Sequence, residues 1–187
     1  MERLLLVAGA SEAETEDTAA AFLPADDALR LAPDRGRILY PRQWYRGFRS
    51  TLRRLAAQRG VHWTSHPEDI ITLFDKRRCQ ERFAAAGLPV PAGLGPVHSF
   101  GHLLARMDQT RLRRVFVKLA CGSSASGVVA FRTATAGRMQ AITTVELERQ
   151  AGELRLYNSR RIRTYESAAD IAPLIDALCR EGVQVEE

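Results

Sequence analysis

Apolar positions change their spacing along the chain, and each change predicts an element. From Arg3 to Gly9 the run Arg-Leu-Leu-Leu-Val-Ala-Gly is continuous, which predicts a parallel strand buried on both faces. Gly9-Ala10-Ser11 is the expected turn into a helix over 14–22 that Leu23-Pro24 ends, and Ala28 to Leu31 reads as a short strand. Arg37 to Tyr40 is a further strand or a loop. Trp44, Phe48, Leu52 and Leu55 recur at four, four and three residues, one stripe of a helix from about Pro41 to Gln58 with Arg42, Arg46, Arg49 and Arg53 on the other side. Gly60 stops that helix, and Val61-His62-Trp63-Thr64 is the next predicted strand.

Ser65-His66-Pro67-Glu68-Asp69-Ile70 opens like a capped helix, with proline at the start and acids in the first turn. A second helix is expected from Lys76 to Ala86, with Cys79, Phe83 and Ala86 inward and Gly87 as its end. Leu88-Pro89-Val90-Pro91 must be extended, because proline disfavours helix in the residue before it. Phe100 to Met107 predicts another helix. From Arg114 the period becomes two: Val115, Val117 and Leu119 share one face, Phe116 and Lys118 the other. Val128 to Arg132, Met139 to Leu147, Glu153 to Asn158 and Arg160 to Tyr165 read as further antiparallel strands, with Gln150-Ala151-Gly152 and Asn158-Ser159 as turns. Ile171, Leu174, Ile175 and Leu178 make 168–181 an amphipathic helix, and Val183 to Glu187 begins a last strand. The character of the chain changes near Pro67 to Leu73, so the expected organisation is an N-terminal α/β domain over 1–70 and a second, mainly antiparallel domain with helices over 71–187.

Composition narrows the class. Hydrophobic residues are 45% and charged residues 26% of the 187, which suits a folded chain and argues against disorder. The N-terminal apolar run is too short for a secretory leader, and no stretch reaches the eighteen or so apolar residues a membrane helix needs. A cytoplasmic protein with no membrane partner is expected. Cys79, Cys121 and Cys179 are widely spaced with no CxxC pair, which speaks against a disulfide framework or a zinc site. His98 and His102 sit four apart without a third ligand, so no metal is assigned to them. The net charge of +5 is unevenly spread. Residues 37–60 hold seven arginines and no acid. Such a run can bind nucleic acid or another polyanion, but a solvated helix face is the commoner outcome, and the aromatics segregate from the arginines instead of interleaving with them.

Two residues stand out against that background. Of the 27 basic residues only Lys76 and Lys118 are lysines. Lysine brings a compact point charge on a thin stem, suited to a phosphate oxygen in a confined place. Shortly after Lys118 comes Gly122-Ser123-Ser124-Ala125-Ser126-Gly127 between two strands, a composition able to wrap polyphosphate. A G-x-G-x-x-G dinucleotide fingerprint is missing after the first predicted strand, so a Rossmann cofactor site has no support.

Phe74-Asp75-Lys76, a helix, and Ala86-Gly87-Leu88-Pro89-Val90-Pro91 together resemble the opening of an ATP-grasp domain. Phe116-Val117-Lys118 and Gly122 to Val128 resemble its next two strands with the glycine loop between them, and Val183-Gln184-Val185-Glu186-Glu187 is similar to the hinge strand that lines adenine. The resemblance covers about Pro67 to Glu187 in the family's order, and makes 1–70 similar to the α/β domain that commonly precedes ATP-grasp. It implies an ATP-binding ligase that activates a carboxylate as an acylphosphate for attack by an amine or thiol. Lys76 and Lys118 would hold the phosphates, each charge pair at about 4 Å being worth some 4 kcal/mol in a medium of intermediate dielectric. Main-chain N–H groups of Gly122 to Gly127, with the hydroxyls of Ser123, Ser124 and Ser126, would close over the β- and γ-phosphates as a lid. The main chain near Gln184, Val185 and Glu186 would read adenine, assisted by the carboxylate of Glu186 or Glu187.

Two departures accompany the resemblance: Leu119 stands where a proline often follows the second lysine, and the half that would supply magnesium-binding carboxylates and acceptor residues is not in the sequence. ATP is therefore the expected ligand, magnesium would take its ligands from elsewhere, and the chain by itself is expected to be catalytically incomplete, as a piece of a longer enzyme, half of a complex or a remnant. The competing expectation is a noncatalytic module using the basic helix 42–59 for a polyanion. The carboxylate and nucleophile substrates are not legible.

Overall fold

The structure, a computed structural model, describes residues 2–10, 22–134, 137–150 and 152–187. It is mixed α/β, with seven helices among the described residues and one five-stranded antiparallel sheet. The chain divides into two compact units, 1–33 with 40–89, and 34–39 with 90–187.

The described residues of the first unit are helical: α1 Glu2–Ala10, α2 Ala25–Arg30, α3 Pro41–Ala56, α4 Pro67–Phe74 and α5 Lys76–Ala85. Three predicted strands are thereby corrected. The run Arg3 to Gly9 is a helix because its glycine serves a helix crossing. A Cβ on Gly9 would lie 2.0 Å from the Gln43 carbonyl oxygen, and one on Gly47 would lie 1.8 Å from that of Leu5. Two glycines thus let α1 and α3 meet backbone to backbone, and Gln43 clamps the crossing by donating from Nε2 to Leu6 O and Leu23 O, both at 2.8 Å. Ala28 to Leu31 falls largely within α2, where Ala28 is fully buried. Val61 to Thr64 is irregular, with Val61 44% exposed; a strand needs a neighbour to satisfy its backbone, and the described residues of this unit hold none. The helix expected over 14–22 lies almost wholly outside the described residues.

Helix α3 forms where its periodicity predicts it, but buries a different face. Gln43, Tyr45, Gly47, Arg49 and Leu52 are buried, while Leu55 is 39% exposed. Trp44 and Phe48 are half-buried and stack at 5.2 Å, with Phe74 of α4 4.7 Å from Phe48. Tyr45 Oη donates to Ile71 O at 2.8 Å. These contacts tie α4 to α3 within a compact unit that runs to Pro89. The N-cap of α4 is His66, whose Nδ1 accepts from Glu68 N at 3.3 Å, one residue beyond the expected serine.

The second unit carries α6 Phe100–Thr110, β1 Arg114–Leu119, β2 Val128–Thr133, β3 Met139–Gln150, β4 Glu153–Tyr165, α7 Ala168–Arg180 and β5 Val183–Glu186. Strand order is β4-β3-β2-β1-β5. Alternation along β1 buries Val115, Val117 and Leu119, which pack with Phe131, Val145 and Val185 against Leu103, Ile171, Leu174, Ile175 and Leu178 of α6 and α7. Phe100 N donates to Asp176 Oδ1 at 2.7 Å, joining the two helices. The opposite face of the sheet carries Phe116, 44% exposed, and Ile142, 40% exposed. Residues expected as two strands about an Asn158-Ser159 turn form one strand with an irregularity: two steps along β3 from Thr143 to Val145 face five along β4 from Arg163 to Asn158. Ser159 Oγ accepts from Arg161 N at 3.0 Å and stabilises that outward fold. Segment 34–39 joins this unit through Ile38 N to Leu156 O at 2.8 Å and Asn158 N to Gly36 O at 2.7 Å. Tyr157 Oη donates to Asp34 Oδ2 at 3.0 Å; burial, then Asp34, pushes the phenol above its ordinary range.

Candidate functional site

Lys118 is the last residue of β1 but one, on the face turned away from the helices, and its register partners are Val128 on β2 and Gln184 on β5. The hairpin therefore delivers it to the mouth of the loop 120–127. Its ammonium pairs with the Glu186 carboxylate from the neighbouring strand. Side-chain exposure is 26% for Lys118 and 15% for Glu186, so the pair is only partly hydrated. The same ammonium lies 5.4 Å from the Phe116 ring centroid, within cation–π reach. A cation held on an open sheet face between a carboxylate and an aromatic ring can take an anionic ligand only in exchange for, or shared with, that carboxylate.

The loop has one open end and one anchored end. Gly122 has φ +136° and open space where a Cβ would project, whereas a Cβ on Gly127, φ +66°, would meet Leu119 Cδ1 at 2.5 Å. Between them Ser124 and Ala125 both hold positive φ, 57° and 53°, and Ser126 N donates to Ser123 O at 3.2 Å. Positive φ at two successive central residues is the signature of a type I′ turn, whose twist suits an antiparallel hairpin. Ser123 and Ser124 are exposed and Ser126 is half-buried, so the hydroxyls are accessible, while the Ser126 N–H is spent inside the loop.

Of the residues singled out in the sequence, the second unit brings together Lys118, Gly122, Ser123, Ser124, Ser126, Gly127, Gln184, Val185, Glu186 and Glu187. Lys76 belongs to the first unit, half-buried in the first turn of α5, beside Asp75, whose Oδ1 caps Arg77 N at 3.1 Å and Arg78 N at 3.3 Å. The main chain expected to read adenine is differently employed. Val185 O accepts from Leu94 N at 2.9 Å and Glu187 N donates to Ala92 O at 3.0 Å, while β1 pairs along the other edge. Both edges of β5 are thus engaged, the Val185 side chain is in the core, and side chains are what this strand offers a ligand: Gln184, itself buried, and Glu186.

Among the described residues no three His, Cys, Asp or Glu side chains converge as a metal ligand set. Glu186, the carboxylate next to Lys118, is paired with it, so the surroundings of Lys118 do not fit a magnesium ion. No described helix is long and apolar enough to cross a membrane. On α3 the arginines do not form one solvated face: Arg49 is 7% exposed and Arg53 Nε bonds Glu68 Oε1 at 3.0 Å. A feature without a counterpart in the sequence reading lies at the far end of the sheet, where Arg113, Arg114, Arg132 and Arg138 line a concavity of about 670 Å³. The hairpin register places two of them side by side, a signal that becomes readable only once the register is known.

No protein-family description, curated protein or solved structure matches the chain.

Proposed function

We propose that the second unit is the nucleotide-binding part of an ATP-grasp-type ligase, with Lys118 holding a phosphate of ATP. The observation that carries the reading is the placement of Lys118: a half-buried lysine on the open face of an antiparallel sheet, at the mouth of a glycine- and serine-bearing hairpin, beside the C-terminal strand. The glycine loop supplies accessible hydroxyls next to it. Phe116, on the same face and 44% exposed, supplies an apolar surface for a flat ring. Glu186 keeps the ammonium oriented until an anion replaces it. With both edges of β5 engaged, purine contacts in this reading come from side chains on the open face and not from the hinge main chain. The larger reaction, carboxylate activation through an acylphosphate followed by attack of an amine or thiol, is part of the same proposal.

The test is ligand-induced stabilisation. ATP, with or without magnesium, raises the melting temperature of the wild-type protein, Lys118→Ala removes the shift, and Glu186→Gln enlarges it because the ammonium no longer has to leave a carboxylate. Identical melting of wild type and Lys118→Ala over the same ATP titration contradicts the proposal.

A further inference from the structure

A second cluster of positive charge lies on the same sheet, four residues along β1 from Lys118. Arg114 and Arg132 are direct register partners on β1 and β2, so their Cα atoms stand about 4.5–5.5 Å apart as in any antiparallel pair. Like charges directly opposite each other on neighbouring strands destabilise the pairing. Arg113 and Arg138 add two more guanidinium groups to the rim. Their main chains are pinned, since Thr133 N donates to Arg113 O at 2.9 Å and Ala134 N to Arg138 O at 2.8 Å. Among the described residues the one acid lining the concavity, Glu166, accepts from Gln140 Nε2 at 2.8 Å. Among the described residues none of the four arginine side chains has an ion-pair or hydrogen-bond partner. That contrasts with Arg37, Arg53, Arg78, Arg82, Arg155 and Arg163, each of which has a carboxylate.

We infer that this concavity is a binding site for the phosphate group of a small phosphorylated molecule, a phosphomonoester or pyrophosphate. Four arginines line the concavity against Glu166 there and Asp108 in the adjoining one, so positive charge is in excess and a multivalent anion can balance it. Planar guanidinium forks match phosphate oxygens two at a time, so the opposed pair Arg114 and Arg132 offers a multidentate grip. The volume of about 670 Å³ falls in the range of small-molecule pockets. It adjoins a second concavity of about 410 Å³ lined in part by the half-buried Leu104 and Leu112, so an apolar group attached to the phosphate has a place to lie. The site is independent of Lys118 and does not rest on the nucleotide reading.

Inorganic pyrophosphate is the probe, titrated calorimetrically into the full chain at low ionic strength, where exposed charges are least screened. Wild type binds, and Arg114→Gln/Arg132→Gln weakens binding about tenfold or more, as loss of charge-assisted hydrogen bonds requires. Arg160→Gln/Arg161→Gln removes the same charge from an exposed part of β4 and leaves the affinity within about twofold. Arg113→Gln/Arg138→Gln repeats the test without touching the strand pairing, in case the first double variant fails to fold. Equal loss in the rim and β4 variants would mean attraction to net charge alone and overturns the site, as does retained affinity in both rim variants or no heat from the wild type.

Discussion

Gly127→Ala tests whether the loop beside Lys118 is anchored where the structure places its anchor. The substitution has two costs. A residue with a Cβ at φ +66° is in the left-handed region, which carries roughly 1–2 kcal/mol for an L-residue. The new methyl would also stand 2.5 Å from Leu119 Cδ1, 2.6 Å from Leu119 Cγ and 3.2 Å from Leu178 Cδ2. Leu119 is 2% exposed and Leu178 fully buried, so neither side chain has free space to retreat into, and overpacking of this kind costs roughly 1–3 kcal/mol. Loss of unfolded-state freedom returns about 0.4–1 kcal/mol. The net expectation is a destabilisation of about 2–4 kcal/mol, measured by urea denaturation with a signal from the second unit. Gly101→Ala is the control: it is helical, its Cβ would meet nothing closer than 4.0 Å, and alanine there should stabilise by roughly 0.5 kcal/mol. If Gly127→Ala unfolds within about 0.5 kcal/mol of wild type, the packing of the loop base against Leu119 and Leu178 is wrong and the assigned loop geometry falls with it.

Two other expectations concern the first unit. Gln43→Leu keeps the volume but leaves Leu23 N and Leu23 O without the partners they have at 2.9 and 2.8 Å; a loss of about 2–4 kcal/mol in chemical denaturation is expected, and a neutral result would deny the clamp. Glu68 is held below the ordinary carboxylate range, first by the hydrogen bond from Arg53, with burial opposing and the Arg53 charge assisting. A depressed folded-state pKa means that this contact stabilises at neutral pH and that the contribution disappears as pH falls through the folded value. With both side chains about half exposed, the effect is a few tenths of a kcal/mol. Arg53→Gln should move the Glu68 carboxyl titration, followed by carbon NMR, upward toward the ordinary range; an unmoved titration contradicts the contact.

Legibility differed between the two halves for a physical reason. In 114–119 and 128–132 the alternation of period two has a single solution, because a slip of one residue would bring Lys118 into the core and Val117 out of it. The strands, the hairpin and the facing of Lys118 were therefore readable, as was the last strand over 183–186 with its valines. In 3–9 a short continuous apolar run is compatible with a buried strand or a buried helix. What decided it was a partner 34 to 42 residues away: Gly47 and Gln43 of α3, which accept the close approach of Gly9 and Leu5. The stripe Trp44, Phe48, Leu52, Leu55 located α3 correctly but not its buried side, because α3 packs on more than one neighbour and Tyr45 and Arg49 are more enclosed than Trp44 and Phe48.

The candidate site divides in the same way. The sequence by itself determined that a rare lysine precedes a glycine loop between strands, since composition and period are local properties. Only the tertiary structure decided that Glu186 is the partner of that lysine, that residues 92–94 occupy the outer edge of β5, and that Lys76 belongs to the other unit. It alone placed Arg114 opposite Arg132. Each of these is a pairing between residues distant in the chain, chosen by strand register and helix packing, and no local pattern encodes which distant residue will be the neighbour.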